Sequence, residues 1–282
     1  MFDFRYHIAS LVAVFLALVV GIVIGVGLSG QGIVQESERE GLNNTIEGLR
    51  ADLERAQTRA EQERAATQFV EAAYSAVMEN RLAGKRIAVV FVGQANELRS
   101  AISGAVSDAD GTIVRLRALK LPVDEDALLA AIEARSDLSA PPGDVRELGR
   151  MLGTELLAGE ATPLWDAVAD QLVIERIPDA DAPADGVVVV RTTDPQQGPT
   201  ASFLNGLYGG LTGSVPAVWV DSVVTETRRP EGFAVLRDVT TALGQVTLAV
   251  LLETGARGEY GPGAASVIPP IAPVVLPAEQ GG

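Results

Sequence analysis

The residue types that do most protein chemistry are scarce in this chain. Its 282 residues contain no cysteine, one histidine (His7) and three methionines (Met1, Met78 and Met151). Without cysteine there is no disulfide, thiolate nucleophile or zinc-thiolate site. With its only histidine in the N-terminal tail, no globular part of the chain can hold a Ser-His-Asp triad, a histidine-bound metal or a histidine general base. Soft metal ions are held by methionine or cysteine and borderline ones by histidine; the three methionines are far apart, so no metal ligand set is visible and any metal ligands stay unknown. Two clusters remain. PDADAPADG brings Asp179, Asp181 and Asp185 together, but it lacks the glycine and glutamate of a calcium loop and reads as a polar connection. GARGEYGPG places Gly258, Gly261 and Gly263 around Tyr260. That spacing predicts a tight turn with positive φ or close backbone approach; it is either a plain turn or a ligand loop beyond a strand end. P-loop and dinucleotide fingerprints are both missing: the first strand runs into VGQANE. No catalytic residue and no cofactor is expected, and an enzyme is the least favoured reading.

The net charge of −15 argues against a nucleic-acid partner, which requires a basic footprint. Membrane contact is expected instead. Residues 8–28, IASLVAVFLALVVGIVIGVGL, carry no charge. As a helix they extend ~31 Å, the thickness of a bilayer core. A secretion signal has a shorter apolar stretch and a small-residue cleavage site, so an uncleaved anchor is favoured over a cleaved signal. Arg5 is the basic residue before the span and Arg39 one of the first beyond it, a near tie under the positive-inside rule. A short inner tail with the large domain outside the cytoplasm is the expected topology. Gly21 and Gly25 form G-x-x-x-G, either a helix-pairing motif or the ordinary glycine content of a membrane helix.

Between Gln31 and Asn80 there is no proline. Leu42, Ile46, Leu49, Leu53, Ala56 and Ala60 follow one another at alternating spacings of four and three, the a/d seam of a coiled coil. Two readings stand: a parallel coiled-coil stalk, making the chain a homo-oligomer, or an amphipathic helix lying on its own domain. A continuous helix here would reach on the order of 75 Å.

Beyond residue 80 strands and helices alternate. Ile87–Val92 and GVVVVR (186–191) are continuously apolar, as buried parallel strands are. Residues 94–106, 124–135, 144 onward, 162 onward and 200–211 read as helices, with Asp144 and Glu147 as a capping-box variant and Thr162-Pro163 as a helix start. TIVRLRAL (112–119) alternates, with Arg115 and Arg117 expected on a wet face. VPAVWV (215–220) and QVTLAVLL (245–252) read as further strands. The expected organisation is a tail and anchor at 1–30 (span 8–28), a stalk at 31–80, a Rossmann-like α/β domain with a mostly parallel sheet at 81–263, and a proline-rich extended or disordered tail at 264–282.

The run FDFRYHIASLVAVFLALVVGIVIGVG, the stalk after it, and QVTLAVLLETGARGEYGPGAAS resemble the actinobacterial copper transport family (MctB-like). The specific parts are HIASLVAVFLAL and the loop of Gly258, Tyr260, Gly261 and Gly263. The resemblance implies copper efflux or homeostasis in a mycolate-type envelope, at the outer membrane, with copper as the transported ion. The residues themselves point to a transport or scaffold component rather than a catalyst, with an envelope interaction protein lacking a copper role as the alternative. One uncharged helix per chain does not enclose a pore, and apolar strands separated by helices are not barrel strands.

Overall fold

The structure is a computed structural model that describes residues 4–28, 33–94, 98–135, 142–159, 161–177, 182–221, 230–262, 264 and 269; at 4–10, 25–28 and 33–40 it describes the backbone alone. It divides into two compact units, Met1–Ala66 and Thr67–Gly282.

The first unit is helical. Helix α1 covers Phe4–Leu28. Among the fully described residues no helix is long and apolar enough to cross a membrane. Helix α2 begins at Ile33 and runs without a break to Met78, as the proline-free stretch predicts.

In the second unit the last turns of α2 lead into a mixed α/β fold. Strand β1 (Arg86–Val92) is followed by α3 (Leu98–Asp108), β2 (Thr112–Leu119), α4 (Glu125–Glu133), α5 (Val145–Ala158), α6 (Pro163–Leu172) and β3 (Val173–Ile177). Then come β4 (Gly186–Arg191), α7 (Gly198–Leu211), β5 (Ala217–Asp221), β6 (Ala234–Leu236), α8 (Ala242–Thr254) and the two-residue β7 (Glu259–Tyr260). The seven strands form one sheet in the order β3-β2-β1-β4-β5-β6-β7, parallel throughout except that β3 runs antiparallel to β2. Every residue of β4 and β5 is buried. Alternate residues feed two cores: Ala88, Val90, Val187, Val189 and Trp219 pack under α4–α7. Ile87, Val89, Phe91, Val188 and Val190 pack under α3, α8 and the end of α2. Covering both faces explains the unbroken apolar runs of β1 and β4.

The same covering overturns the expected wet face on β2. Arg115 and Arg117 are fully buried. Arg115 donates from Nη1 to the carbonyl of Leu156, in the last turn of α5, at 3.0 Å, where a helix presents carbonyls and the negative end of its dipole. The guanidinium of Arg117 lies over the Trp165 ring, 5.4 Å from its centroid, and donates to the carbonyl of Ile177 at 3.1 Å. Alternation along β2 is real, but both faces are inside.

A second correction concerns residues 245–252, which form helix α8 and not a strand. An apolar run of eight residues does not separate a buried strand from a buried helix. The ends decide it. Thr241 caps the start by accepting from the Gly244 amide at 3.2 Å, and Gly255, at φ 65°, closes it in the left-handed conformation. Leu248 through Leu252 are all buried, because α8 lies on the sheet with α3 beside it.

The other helix starts use the residues the sequence offers, with one exchange. Asp124 accepts from the Ala127 amide and Asp144 from the Glu147 amide, while the Glu147 carboxylate turns to Arg150. Thr162 makes no side-chain cap; Glu155 of α5 accepts instead from the amides of Leu164 and Trp165, both at 3.1 Å. Asp185, from the acidic loop, forks onto Arg86 at 2.9 and 3.1 Å and joins the starts of β1 and β4; this hydrogen bonding holds its carboxyl below the usual carboxylate range. Asp179 and Asp181 lie outside the described residues.

Helices α5 and α7 meet through glycine. A Cβ on Gly206 would sit 1.9 Å from the carbonyl oxygen of Arg146, and one on Gly210 2.1 Å from that of Arg150. From the other side, a Cβ on Gly149 would lie 2.2 Å from the Phe203 oxygen, and one on Gly153 2.4 Å from that of Leu207. Each helix thus presents a G-x-x-x-G to the other. Both tryptophans, Trp165 and Trp219, belong to this unit, so intrinsic fluorescence reports its unfolding in the full chain. Gly206→Ala is expected to lower stability by about 1–3 kcal/mol through overpacking, against the gain of about 0.5–1 kcal/mol that removing a helix-interior glycine brings elsewhere. Gly104→Ala in α3, with nothing within 4 Å of the added carbon, should raise the denaturant midpoint.

Candidate ligand-binding cleft

At the carboxyl ends of β1 and β4 the sheet changes direction: β1 is flanked by β2 on one side and β4 on the other. Open parallel sheets hold ligands at such a crevice. Here Val92 pairs with Arg191, and a cleft of about 760 Å³ opens beside them toward α7, within the range of small-molecule sites, about 300–1,000 Å³.

Its inner wall is built by β4 and β5. Arg191 ends an otherwise apolar strand and Asp221 ends the neighbouring one at the same register. Arg191 Nη2 donates to both Asp221 carboxylate oxygens at 3.0 Å, with both side chains nearly excluded from solvent. The Arg191 guanidinium also lies 5.7 Å from the centre of the Trp219 ring. Trp219 packs edge-on against Tyr208, 5.0 Å between centroids, and both meet Phe233 in the same manner, the arrangement that suits ring quadrupoles. Burial pushes the Tyr208 phenol well above its ordinary pKa, against the opposing effect of the Arg191 charge. The indole Nε1 of Trp219 is buried and has no hydrogen-bond partner among the described residues.

The outer wall is one face of α7, with Ala201, Leu204, Asn205, Tyr208 and Thr212 at helical spacing, held in place by the glycine contact with α5. Arg146 reaches the cleft from α5. Thr193, Asp194 and Gln196 come from the β4–α7 loop and Glu231 from the approach to β6. Gly93 at the end of β1 has φ 107°, and a Cβ there would lie 2.6 Å from Thr192 Oγ1 and Thr193 Cγ2; only glycine lets the two strand-end loops meet so closely.

The residues singled out in the sequence lie elsewhere. Gly258 and Gly261 have φ of 134° and 103°, as the spacing predicts, and Gly263 lies outside the described residues. Their loop follows helix α8, not a strand, so it enters β7 at its amino end. Tyr260 is buried in the α3/α8 core, its hydroxyl donating to the carbonyl of Arg257 at 3.0 Å. The loop leads into the edge strand β7. Gly21 has nothing within 4 Å of an added Cβ, and Gly25 is helical. Leu42, Ile46, Leu49 and Leu53 are 62%, 44%, 63% and 58% exposed. Ala56 is exposed and Ala60 half-buried. Where described, then, the seam lies open. Among the described residues no group of three or more His, Cys, Asp or Glu side chains could hold a metal ion. Met78 is fully buried in the core, and Met151 packs against the other one.

Sequence reasoning passed over the cleft because none of its residues forms a motif. Two signals were available: the apolar strands VVVVR and VWVD end in opposite charges, and Gly149/Gly153 and Gly206/Gly210 repeat the G-x-x-x-G spacing in two helices.

In comparisons with known proteins, the model of a family described as "Copper transport outer membrane protein, MctB" matches residues 1–269. No curated protein matches the chain.

Tyr208 is neutral in the folded chain at a pH where a free phenol, near 10, ionises. Its contribution to stability is therefore complete below about pH 10 and is lost as pH rises beyond it. Tyr208→Phe should flatten the alkaline fall in stability, read by denaturant titrations of tryptophan fluorescence between neutral pH and pH 11.

Proposed function

The chain belongs to the MctB family of copper transport outer membrane proteins, and from that premise we propose that it is a membrane-anchored component of copper efflux in the cell envelope, acting by placement and partner binding rather than catalysis. The observation that carries this reading is the extent of the family match, which takes in the N-terminal helix, the α2 region and the whole α/β fold. The anchor is the uncharged stretch 8–28, long enough to cross a bilayer core when helical, within helix α1. Copper is the cargo. The chain has no cysteine, one histidine and few methionines, and so offers little with which to hold copper tightly, which fits passage or partnering better than storage.

The stalk carries the oligomer. Ile46 and Leu53 at a positions alternate with Leu42 and Leu49 at d positions, and isoleucine at a with leucine at d favours two parallel strands. Their exposure in the single chain leaves this seam available for a second copy. It also supports a second reading, in which the chain is a dimeric envelope interaction protein without a copper role.

Copper accumulation in a deletion strain separates the two. Complementation by the full chain should restore low copper, and a version lacking residues 1–30 should not; unchanged copper levels in the deletion strain would favour the interaction protein. For the stalk, Leu49→Glu with Leu53→Glu should halve the mass of the detergent-solubilised chain by sedimentation, leaving tryptophan fluorescence unchanged. An unsubstituted chain already of monomer mass would remove the dimer.

A further inference from the structure

The cleft beside α7 plays no part in that reading, and its chemistry specifies a ligand of its own. Its charges are mixed: Arg191 is already held by Asp221, which leaves Arg146 among the lining residues with Asp194 and Glu231. A strongly anionic ligand would meet the two carboxylates and a cation the Arg146 guanidinium. Either would lose hydration without a matching gain. What the walls offer is hydrogen bonding of both senses. Asn205 supplies an acceptor and two donors in one plane; Gln196 gives one donor to the Asp194 carbonyl at 2.7 Å and retains a second donor and an acceptor; Asp194 accepts and Arg146 donates. Tyr208 and Trp219 also line the cleft and bring it apolar ring surface, and the buried Trp219 Nε1 has no hydrogen-bond partner among the described residues. A buried donor left in this state costs free energy.

We propose that this cleft binds a neutral, hydroxyl-rich ring ligand of the saccharide class, whose apolar ring face meets the aromatic ring surface and whose hydroxyls pair with Asn205, Gln196 and Asp194. Adjacent sugar hydroxyls both donate and accept, which matches planar amides and carboxylates side by side. The volume holds one or two rings.

Isothermal titration of the full chain in a non-glycosidic detergent tests this. The probes are trehalose, cellobiose and N,N′-diacetylchitobiose, with citrate, inorganic phosphate and glycylglycine as charged and zwitterionic counterparts. At least one disaccharide should bind with Kd of about 1 mM or tighter. Asn205→Leu and Asp194→Ala, both exposed positions whose replacement leaves the core intact, should each weaken it by about tenfold. Competition by insoluble cell-wall glycan would identify a polymeric source and its failure a free sugar, either outcome supporting the class. The inference is overturned if no disaccharide binds, if both variants bind as the unsubstituted chain does, or if citrate, phosphate or glycylglycine binds in a manner that these variants abolish.

Discussion

The contact between α5 and α7 sets the geometry of the α/β unit. Four glycines, Gly149, Gly153, Gly206 and Gly210, let the two backbones approach until a carbonyl of each helix occupies the space a side chain would fill on the other. Leu148, Leu152 and Leu156 of α5 and Phe203, Leu207 and Leu211 of α7 all reach the same core. The position of α7 follows, and with it the outer wall of the cleft. Arg146, whose carbonyl meets Gly206, also contributes its side chain to that cleft, so packing and site are joined at one residue.

The other side of the sheet is organised around apolar bulk. Helix α8 is buried on nearly every face, and the last turns of α2 are fastened there: Tyr74 donates to Asp108 at 2.8 Å, its hydroxyl 2.8 Å from the side-chain amide of Gln245, and Arg81 pairs with Glu253 at 2.8 Å. Burial chiefly, reinforced by the Asp108 carboxylate, holds the Tyr74 phenol well above its ordinary pKa. These contacts make the C-terminal end of α2 part of the α/β unit, while Leu42 to Leu53 of the same helix stay exposed. One helix thus serves two environments, and its sequence changes accordingly, from a narrow a/d seam to the broader face of Tyr74, Val77 and Met78.

Functionally, the copper transport family and the chemistry of this chain place different demands on it. A chain with no cysteine and one histidine is poorly equipped to sequester copper, which is why the proposed role rests on placement and partner binding. The cleft at the β1/β4 crevice has a fold-level reason to exist, because the connections that leave β1 toward β2 and β4 toward β5 run to opposite sides and leave a gap between them.

The sequence by itself determined the composition limits, the uncharged 21-residue segment, the long proline-free helix and its seam, and the buried strands β1, β4 and β5. Each rests on local pattern: charge content, period, or an apolar run closed by glycine. The turn at Gly258 and Gly261 was equally legible, since positive φ is a property of the residue. Tertiary structure decided what local pattern leaves open. Arg115 and Arg117 alternate with apolar neighbours as exposed residues do, and only α5 and α6 passing over them turned that face inward. Residues 245–252 suit a strand or a helix, and caps at Thr241 and Gly255 with burial on all sides chose the helix. The cleft was invisible for the same reason: Arg146, Arg191, Tyr208 and Trp219 come from four elements, and what brings them together is strand register and the close approach of two helices, which no stretch of sequence carries alone.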